Sequence, residues 1–328
     1  MKYKSKILFL AFFLSFSCFS QVKNENQLFL NKTFGFIYGQ QHTLNIIKQN
    51  FPEQIIEASI AELEFDKSFS RALSNINIEI RKIHGSAFED YLSKIKDISD
   101  KYFSSNKMSK KDAVLFIEKV KSRAKGNIKS PFLETLLKYE HLDNPVDELL
   151  NNHANIYSVI NYSNSRMMKL EIKIPQSWKE LDGDSSLILK KFRSEYGLGK
   201  EIITVSKKLI SNRLITDNLF TEKELQKMIP KNSKIPLIDT ENINNKLTGI
   251  IRYEQINPTI KSNQKRYIIQ YSFKYNNTLL IIECAIYGVI EDDLNLKFQK
   301  FNPLFQSIVK SVKINNNSNK NKLSVNQY

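Results

Sequence analysis

The spacing of apolar residues changes once along this 328-residue chain, and that change limits the folds it can adopt. Up to residue 165, apolar side chains recur every three or four positions, as at Phe69, Leu73 and Ile76, which is the period of an amphipathic helix. Residues 168–174 instead alternate apolar and charged side chains, which is the period of a β-strand. The sequence therefore predicts an α+β protein in which helices come first and strands follow.

Local signals place individual elements within this pattern. Residues 109–112 (SKKD) resemble a capping box at the start of a helix. A break near Glu64 is expected in the apolar pattern that follows Pro52, because an unbroken helix there would be very long. Amphipathic helices are predicted at 218–229 and 294–312. The predicted strands are residues 168–174, 187–192, 202–205, 247–255, 267–275 and 278–290.

The two ends of the chain add further segments. Residues 315–328 are rich in Asn and Lys and predict a disordered tail. Residues 1–20 have the composition of a leader that is removed from the mature protein. The predicted order is a signal peptide at 1–20, an all-helical domain at 21–165, an antiparallel β-sheet domain sandwiched by helices at 166–314, and the tail at 315–328.

The leader has the three-part pattern of a secretory signal peptide. Lysines precede an apolar run over residues 7–16, and small residues follow it. The run is too short to span a bilayer as a mature helix. We therefore expect export, with cleavage between Ser20 and Gln21, to the periplasm or the outside of the cell. Lipid attachment at Cys18 is less favoured, because Ser15 stands where a branched apolar residue is needed.

The mature chain carries no further membrane-spanning pattern and little cysteine. No apolar run of spanning length follows residue 20, so we expect no transmembrane segment, whereas peripheral membrane association stays open. The whole chain has two cysteines, and removal of the leader leaves Cys284 alone, which excludes a disulfide framework. Stability must come from a hydrophobic core, for which 41% apolar residues are sufficient.

Basic residues are concentrated in the second half of the chain. Residues 21–165 hold 19 basic and 18 acidic side chains, whereas residues 166–328 hold 27 basic and 16 acidic ones, an excess of +11. One explanation is an anionic partner, such as anionic lipid, lipopolysaccharide or an acidic protein. The simpler explanation is an AT-rich genome, which enriches Lys, Asn and Ile together. We prefer it because the lysines are scattered over many elements, and we expect no nucleic-acid partner.

The second domain has a recognisable order of elements. It opens with a strand that ends in IPQSW (residues 174–178), continues through strands, a helix and three long strands, and closes with a helix that ends in FQSIVKSVK (residues 305–313). Over residues 168–314 this order resembles the PsbP-like sandwich superfamily, whose bacterial members include the DcrB-like and LpqN-like exported proteins. The resemblance implies a small non-enzymatic binding or accessory domain, and the family has no shared catalytic residues to carry over.

The residues that most often carry chemistry do not form a catalytic pattern here, and we predict no catalytic residues, no metal site and no cofactor. Cys284 lies within the most apolar strand, where burial raises the pKa of a thiol and blocks access to it. Residues 197–200 (GLGK) lack the remaining spacing of a phosphate-binding loop and precede a strand, so they predict a hairpin turn. The four histidines are dispersed and show no zinc-ligand spacing.

Two groups of acidic residues have simpler explanations than metal binding. Those at 291–293 fall between the last long strand and the terminal helix, where carboxylates accept hydrogen bonds from free helix amides. The others do not converge on one helix face and predict a solvated surface; they are Glu57, Glu62, Glu64 and Asp66.

One face of a predicted strand is the best candidate for ligand binding. Aromatic side chains alternate along residues 267–275, directly after two basic residues, and such a face can stack on bases or sugars. The simpler explanation, which we prefer, is that this face packs under a helix. If a surface binds a ligand, we expect it to be this face and the edge at 189–193. The candidate residues are Lys191, Arg193, Lys265, Arg266, Tyr267, Tyr271 and Phe273.

Three hypotheses for the function follow. The leading one is an exported, non-enzymatic envelope protein, in which the β domain binds a partner protein or an envelope component and the helical domain is a spacer or a second interface. The second is a hydrolase of envelope polymers that uses carboxylates of the helical domain. The third is a protein that binds anionic lipid or polysaccharide surfaces through its basic second half.

Overall fold

The computed structural model describes residues 25–105, 108–163, 166–183, 185–210, 217–256, 264–275 and 277–317. These residues form two compact units that divide between Leu142 and Asp143. The α+β class, with helices in the first half and antiparallel sheets in the second, is confirmed. The predicted leader, with its cleavage site between Ser20 and Gln21, lies outside the described residues.

The first unit is helical apart from short connections. Its helices are α1 (Glu25–Asn50), α2 (Ile55–Ser68), α3 (Ser70–His84), α4 (Phe88–Ser105), α5 (Lys110–Ala124) and α6 (Phe132–Glu140). The predicted capping box is present at the start of α5, where Ser109 and Asp112 exchange hydrogen bonds of 3.2 Å between side chain and backbone N–H. The expected break in the second helix lies at Phe69, between α2 and α3, rather than near Glu64.

Helix α1 is the centre of the first unit. It contacts all of the other described helices of this unit, α2 to α6. Its buried residues, among them Phe34, Phe36, Ile37, Leu44 and Ile47, therefore point in several directions. A helix that is buried on several sides has no single apolar face, which explains why residues 21–38 show no helical period in the sequence.

The second unit contains two antiparallel sheets in its described residues. The strands are β1 (Ala154–Ser163), β2 (Arg166–Pro175), β3 (Lys179–Leu181), β4 (Ile188–Arg193), β5 (Glu201–Leu209), β6 (Ser233–Ile243), β7 (Lys246–Ile256), β8 (Gln264–Tyr275), β9 (Thr278–Val289) and β10 (Lys313–Asn317). The larger sheet has the strand order β3-β4-β5-β9-β8-β7-β6 and the smaller the order β1-β2-β10. The helices of this unit are α7 (Asp147–Leu150), α8 (Glu222–Gln226) and α9 (Leu294–Lys310), with a further helical turn at Ser194–Gly197.

Strand β1 lies within the region predicted to be helical, so the two units divide earlier than the predicted boundary after residue 165. β1 pairs with β2 along its whole length, from Ala154 opposite Pro175 to Ser163 opposite Arg166. Antiparallel neighbours share a ladder of backbone hydrogen bonds, so β1 and β2 belong to one structural unit. The second unit therefore begins before β1, at Asp143.

Both faces of the seven-stranded sheet carry buried apolar side chains. One face, which we call the inner face, packs against α9 and the smaller sheet, and its core includes Ile269, Ile282 and Phe305. The opposite face, the outer face, packs against residues 217–229, and its core includes Phe220 and Ile268. The sheet is thus covered on both sides, as predicted, but part of the inner cover is a second sheet instead of a helix.

Two elements of the second unit depart from the sequence prediction. β6 is an edge strand that the sequence pattern does not predict. Pro236 interrupts it, and the pairing register with β7 shifts between Lys234 and Leu237; proline is tolerated in a sheet at such an edge bulge. The helix predicted at 218–229 is a 3-10 turn at Asp217–Phe220 followed by the short α8.

The predicted tail begins within the fold. Asn315 pairs with Lys169 of β2, in the strand β10 that extends from Lys313 to Asn317. Residues 318–328 lie outside the described residues. The chain that the structure describes contains no helix with both the length and the apolar character needed to cross a membrane.

Candidate functional site

The aromatic face predicted on β8 lies inside the protein. Tyr267, Tyr271 and Phe273 belong to the inner core. Tyr271 and Phe273 are each 2% exposed, and the ring centroid of Tyr267 lies 4.5 Å from that of Phe298 on α9. The ring of Tyr267 thus packs against a helix, and the buried side chains of Tyr271 and Phe273 leave no open surface for a ligand.

The predicted basic residues are divided between the two faces of the sheet. The alternation of β8 places Lys265 on the inner face and Arg266 on the outer face. Lys191 and Arg193 lie on the outer face of β4. The Nε of Arg193 donates a hydrogen bond of 2.6 Å to the backbone oxygen of Gly199, which ties this side chain to the connection between β4 and β5. The structure therefore places Lys191, Arg193 and Arg266 on one face, away from the predicted aromatic partners.

Arg266 belongs to a polar group that the sequence prediction did not contain. The register places Gln255 of β7 opposite Arg266 of β8, and Arg266 opposite Tyr287 of β9. Tyr253 and Glu283 follow two and four residues away from these positions, which keeps them on the same face of their strands. We call these residues the outer-face cluster: Tyr253, Gln255, Arg266, Glu283 and Tyr287.

Arg266 makes polar contacts to both neighbouring strands. Its Nε and Nη2 donate hydrogen bonds of 2.9 and 2.5 Å to the Oε1 of Gln255. Its Nη1 lies 3.4 Å from the hydroxyl oxygen of Tyr287 and 3.5 Å from the Oε1 of Glu283. The short hydrogen bonds to a neutral amide fix the orientation of the guanidinium group, whereas the contact with the charged partner is at the limit of hydrogen-bond distance.

The outer-face cluster is partly buried and still reaches solvent. The side chains of Arg266 and Glu283 are 30% and 24% exposed. Residues 217–229, which cover part of the outer face, contact β6 and β7. The outer-face side chains of Lys191 and Thr204, on the other side of the cluster, are partly buried in the same way as those of Arg266 and Glu283. The cluster therefore lies beside the covered part of the outer face.

Burial makes the ionised forms of two residues in the cluster less favourable. It raises the pKa of the Glu283 carboxyl group, although the charges of Arg266 and Lys191 act in the opposite direction. It also raises the pKa of the Tyr253 hydroxyl, to which the charge of Glu283 adds. Both shifts favour the form that carries a proton and donates a hydrogen bond. The cluster thus combines a fixed cation with hydroxyl donors and a carboxyl group whose pKa is raised by burial.

One sequence signal for this cluster was present but incomplete. Glu283 is a charged residue within the apolar run of β9, and a charge at such a position is rarely buried unless it has a partner. The partner, Arg266, lies on a different strand. Its place beside Glu283 depends on the pairing register between β8 and β9, which the sequence pattern alone does not give.

Two of the four candidate acidic residues of the helical unit, Glu57 and Glu62, are engaged in ion pairs. Glu57 lies 2.6 Å from the Nζ of Lys121, and Glu62 lies 2.5 Å from the Nζ of Lys48. Burial, with the charge of Glu62, raises the pKa of Asp66. Among the residues that the structure describes, no three His, Cys, Asp or Glu side chains gather in a way that could hold a metal ion.

The remaining chemical features of the sequence have structural roles. Asp293 accepts hydrogen bonds from the backbone N–H groups of Asn295 and Leu296, at 3.1 and 3.2 Å, and so caps α9. Cys284 is fully buried, and burial together with the charge of Glu283 raises its pKa. Residues 197–200 are the second half of the connection 194–200 between the antiparallel neighbours β4 and β5, which begins with the helical turn Ser194–Gly197.

Comparisons with known proteins give low similarity. No protein-family model matches the chain, and no curated protein matches it. Among solved structures, the solution structure of cyanobacterial PsbP from Synechocystis sp. PCC 6803 is 13% identical, with a TM-score of 0.33, and aligns with 48% of this chain and 94% of its own. A point mutant of the protein Mog1 is 11% identical, with a TM-score of 0.32, over 48% of this chain and 95% of its own. At these values we draw no functional conclusion from either structure.

Proposed function

We propose that the protein is an exported, non-enzymatic envelope protein whose second unit binds a partner protein or an envelope component through the outer face of its seven-stranded sheet. The leader in the sequence supports the exported location. The observation that supports the binding site is the orientation of Arg266, which Gln255 holds at 2.9 and 2.5 Å in a partly exposed position.

The physical argument concerns how a binding site differs from a structural ion pair. A cation that only stabilises the sheet gains most from a short, two-point contact with a carboxylate. Arg266 instead has its short contacts with a neutral amide and a single contact of 3.5 Å with Glu283. A guanidinium group that is held on a rigid strand by a neutral neighbour is preorganised for a partner that supplies the opposite charge.

A test of this function compares retention of partners from envelope extracts on immobilised mature protein. Arg266→Gln should abolish saturable retention of a partner that the unmodified protein binds. The matched control is Lys208→Gln, which removes one positive charge from an exposed position on the outer face of β5. Equal retention by all three proteins, or equal loss in both variants, would reject the outer-face cluster as the binding site.

The second candidate function is binding to an anionic surface. The observation that favours it is that Lys191, Arg193 and Arg266 lie on the same face of the sheet. Such binding should weaken steeply as salt is added, because it depends on charge. Retention on anionic liposomes that does not change with salt would reject this candidate. We do not propose the hydrolase, because Glu57 and Glu62 are engaged by lysines.

A further inference from the structure

The orientation of Arg266 leaves a definite place for a negatively charged ligand. Gln255 engages the Nε and Nη2 side of the guanidinium group, at 2.9 and 2.5 Å. The Nη1 side faces Glu283 and Tyr287, at 3.5 and 3.4 Å. Good hydrogen bonds of a guanidinium group to an oxyanion are about 2.7–2.9 Å long. The present neighbours of Nη1 therefore use only part of its capacity to donate hydrogen bonds.

Glu283 is a poor permanent partner for that side. A single oxygen of its carboxylate approaches Arg266, and burial raises its pKa despite Arg266 and Lys191. The free-energy cost of desolvating the ionised Glu283 carboxylate is therefore larger than the stabilisation that these two cations give it. A carboxylate in this position is one that another anion can replace.

The other groups around Glu283 are suited to hold an anion in its place. Arg266 comes from β8, Lys191 from β4, Tyr253 from β7 and Tyr287 from β9. Glu283 and Tyr287 each interact with both Arg266 and Tyr253, and the charge of Lys191 acts on Glu283. Two of these groups are cations. The tyrosine hydroxyls donate hydrogen bonds when protonated, and burial raises the pKa of Tyr253. Once Glu283 is protonated, it is a donor as well.

We propose that an oxyanion, the carboxylate, phosphate or sulfate group of an acidic envelope component, binds Arg266 at Nη1 in place of the Glu283 carboxylate. This inference rests on the proposed function, since it names the ligand group of the same outer-face cluster. Glu283 then acts as an internal competitor that occupies the site when no ligand is bound. Binding of the oxyanion beside Glu283 drives protonation of this carboxyl group, because two negative charges at one site repel each other. The affinity therefore rises as the pH falls.

The experiment uses sulfate as the probe and the full mature protein. Sulfate does not titrate in the working range, so any pH dependence of its binding belongs to the protein. Binding is measured by calorimetry at constant ionic strength at about pH 5.5 and about pH 7.5, two values above the ordinary glutamate pKa, where a raised pKa makes the protonation of Glu283 depend on pH. Repeating the titration in two buffers of different ionisation enthalpy measures the protons taken up on binding.

We expect the unmodified protein to bind sulfate more tightly at the lower pH and to take up protons at the higher pH. Glu283→Gln should bind about tenfold more tightly at the higher pH, with neither pH dependence nor proton uptake, since the internal competitor is absent. Arg266→Gln should bind at least about tenfold more weakly, the scale of one hydrogen bond to a charged group. Lys208→Gln, the matched control, should behave as the unmodified protein.

Other outcomes reject the inference. If Glu283→Gln leaves the affinity and the proton uptake unchanged, Glu283 does not compete for the site. If Lys208→Gln weakens binding as much as Arg266→Gln does, the effect is one of general charge. If Glu283→Gln binds no sulfate at either pH, although its melting temperature shows that it is folded, the oxyanion assignment fails. Retention of envelope partners that depends on Arg266 would still uphold the proposed function in each of these cases.

A second set of titrations separates the sources of the oxyanion. Vesicles of phosphatidylglycerol in phosphatidylcholine present a phosphate diester at a membrane surface, and soluble inorganic phosphate presents a similar group in solution. If Arg266→Gln loses binding to the vesicles and inorganic phosphate does not compete, the source of the oxyanion is a lipid headgroup. If soluble phosphate competes with the vesicles for binding, the source of the oxyanion is a small or polymeric soluble anion. Vesicles of phosphatidylcholine alone should not bind in either case.

Discussion

Arg123 donates a hydrogen bond of 2.7 Å from its Nη1 to the Oε1 of Gln40, inside the core of the helical unit. The guanidinium carbon lies 4.7 Å from the ring centroid of Phe36, so the cation contacts both an amide and an aromatic face. The Arg123 side chain is largely buried, and burial lowers its pKa to about 10. This pair joins the central helix α1 to α5 and sets which faces of these helices meet.

Replacement of Gln40 by alanine should destabilise the helical unit. The substitution removes one acceptor from a buried cation, and a hydrogen bond to a charged group contributes about 1.5–3 kcal/mol. Urea unfolding of the mature protein, followed by far-UV circular dichroism, measures the change in the free energy of unfolding. Asn45→Ala removes an exposed amide from the same helix and is the control. A loss for Gln40→Ala no larger than that for Asn45→Ala would contradict a role for the buried pair.

Gly249 on β7 should not tolerate a larger side chain. A Cβ atom built there would lie 2.7 Å from the Cδ1 of Phe220 and 2.6 Å from the Cδ2 of Leu225. Residues 217–229 therefore depend on a glycine for their close approach to the sheet. Gly249→Ala should cost about 1–3 kcal/mol, as overpacking does, and should loosen this cover. Hydrogen exchange at α8 and thermal unfolding measure both effects. Unchanged exchange and an unchanged melting temperature would show that residues 217–229 move aside for the added methyl group at no cost in stability.

Regular amphipathic elements were predictable from the sequence. The capping box at Ser109 and Asp112 combines its two partners within one turn, so the local sequence contains all of the interaction. The strands predicted at 247–255 and 267–275 lie within β7 and β8, and in β8 aromatic residues recur at alternate positions. Signals of this kind need no knowledge of distant residues.

Two elements without a regular apolar spacing were harder to predict. Helix α1 is buried on several sides, and β6 is an edge strand with a proline and a register shift. Neither shows a clear period. The outer-face cluster was missed for another reason. Gln255, Arg266 and Glu283 are drawn from three strands, and only the pairing register brings them together.

The hydroxyl group of Tyr271 offers a test of the inner face. The Oη atom is buried and has no hydrogen-bond partner among the described residues, and burial raises the pKa of this hydroxyl. An unsatisfied buried hydroxyl is unfavourable, so Tyr271→Phe should be neutral or should stabilise the protein by up to about 1 kcal/mol. Tyr157→Phe, a change at a half-buried hydroxyl in the same unit, is a control. A clear loss of stability in Tyr271→Phe would show that the hydroxyl has a partner in solution.

Glu283 should make the stability of the protein depend on pH. Burial raises its pKa in the folded state above the ordinary value of 4.5. Between these two pKa values the folded state binds more protons than the unfolded state, so this contribution to stability is present at low pH and is lost as the pH rises. Glutamine cannot ionise, and Glu283→Gln removes the dependence. The free energy of unfolding of Glu283→Gln, relative to the unmodified protein, should therefore increase as the pH rises from 4.5, the ordinary glutamate pKa, towards neutrality. Urea unfolding over this range measures the difference, and Glu222→Gln, which removes an exposed carboxylate of the same unit, is the matched control. A relative stability that stays constant or decreases with pH would mean that Arg266 and Lys191 outweigh the effect of burial.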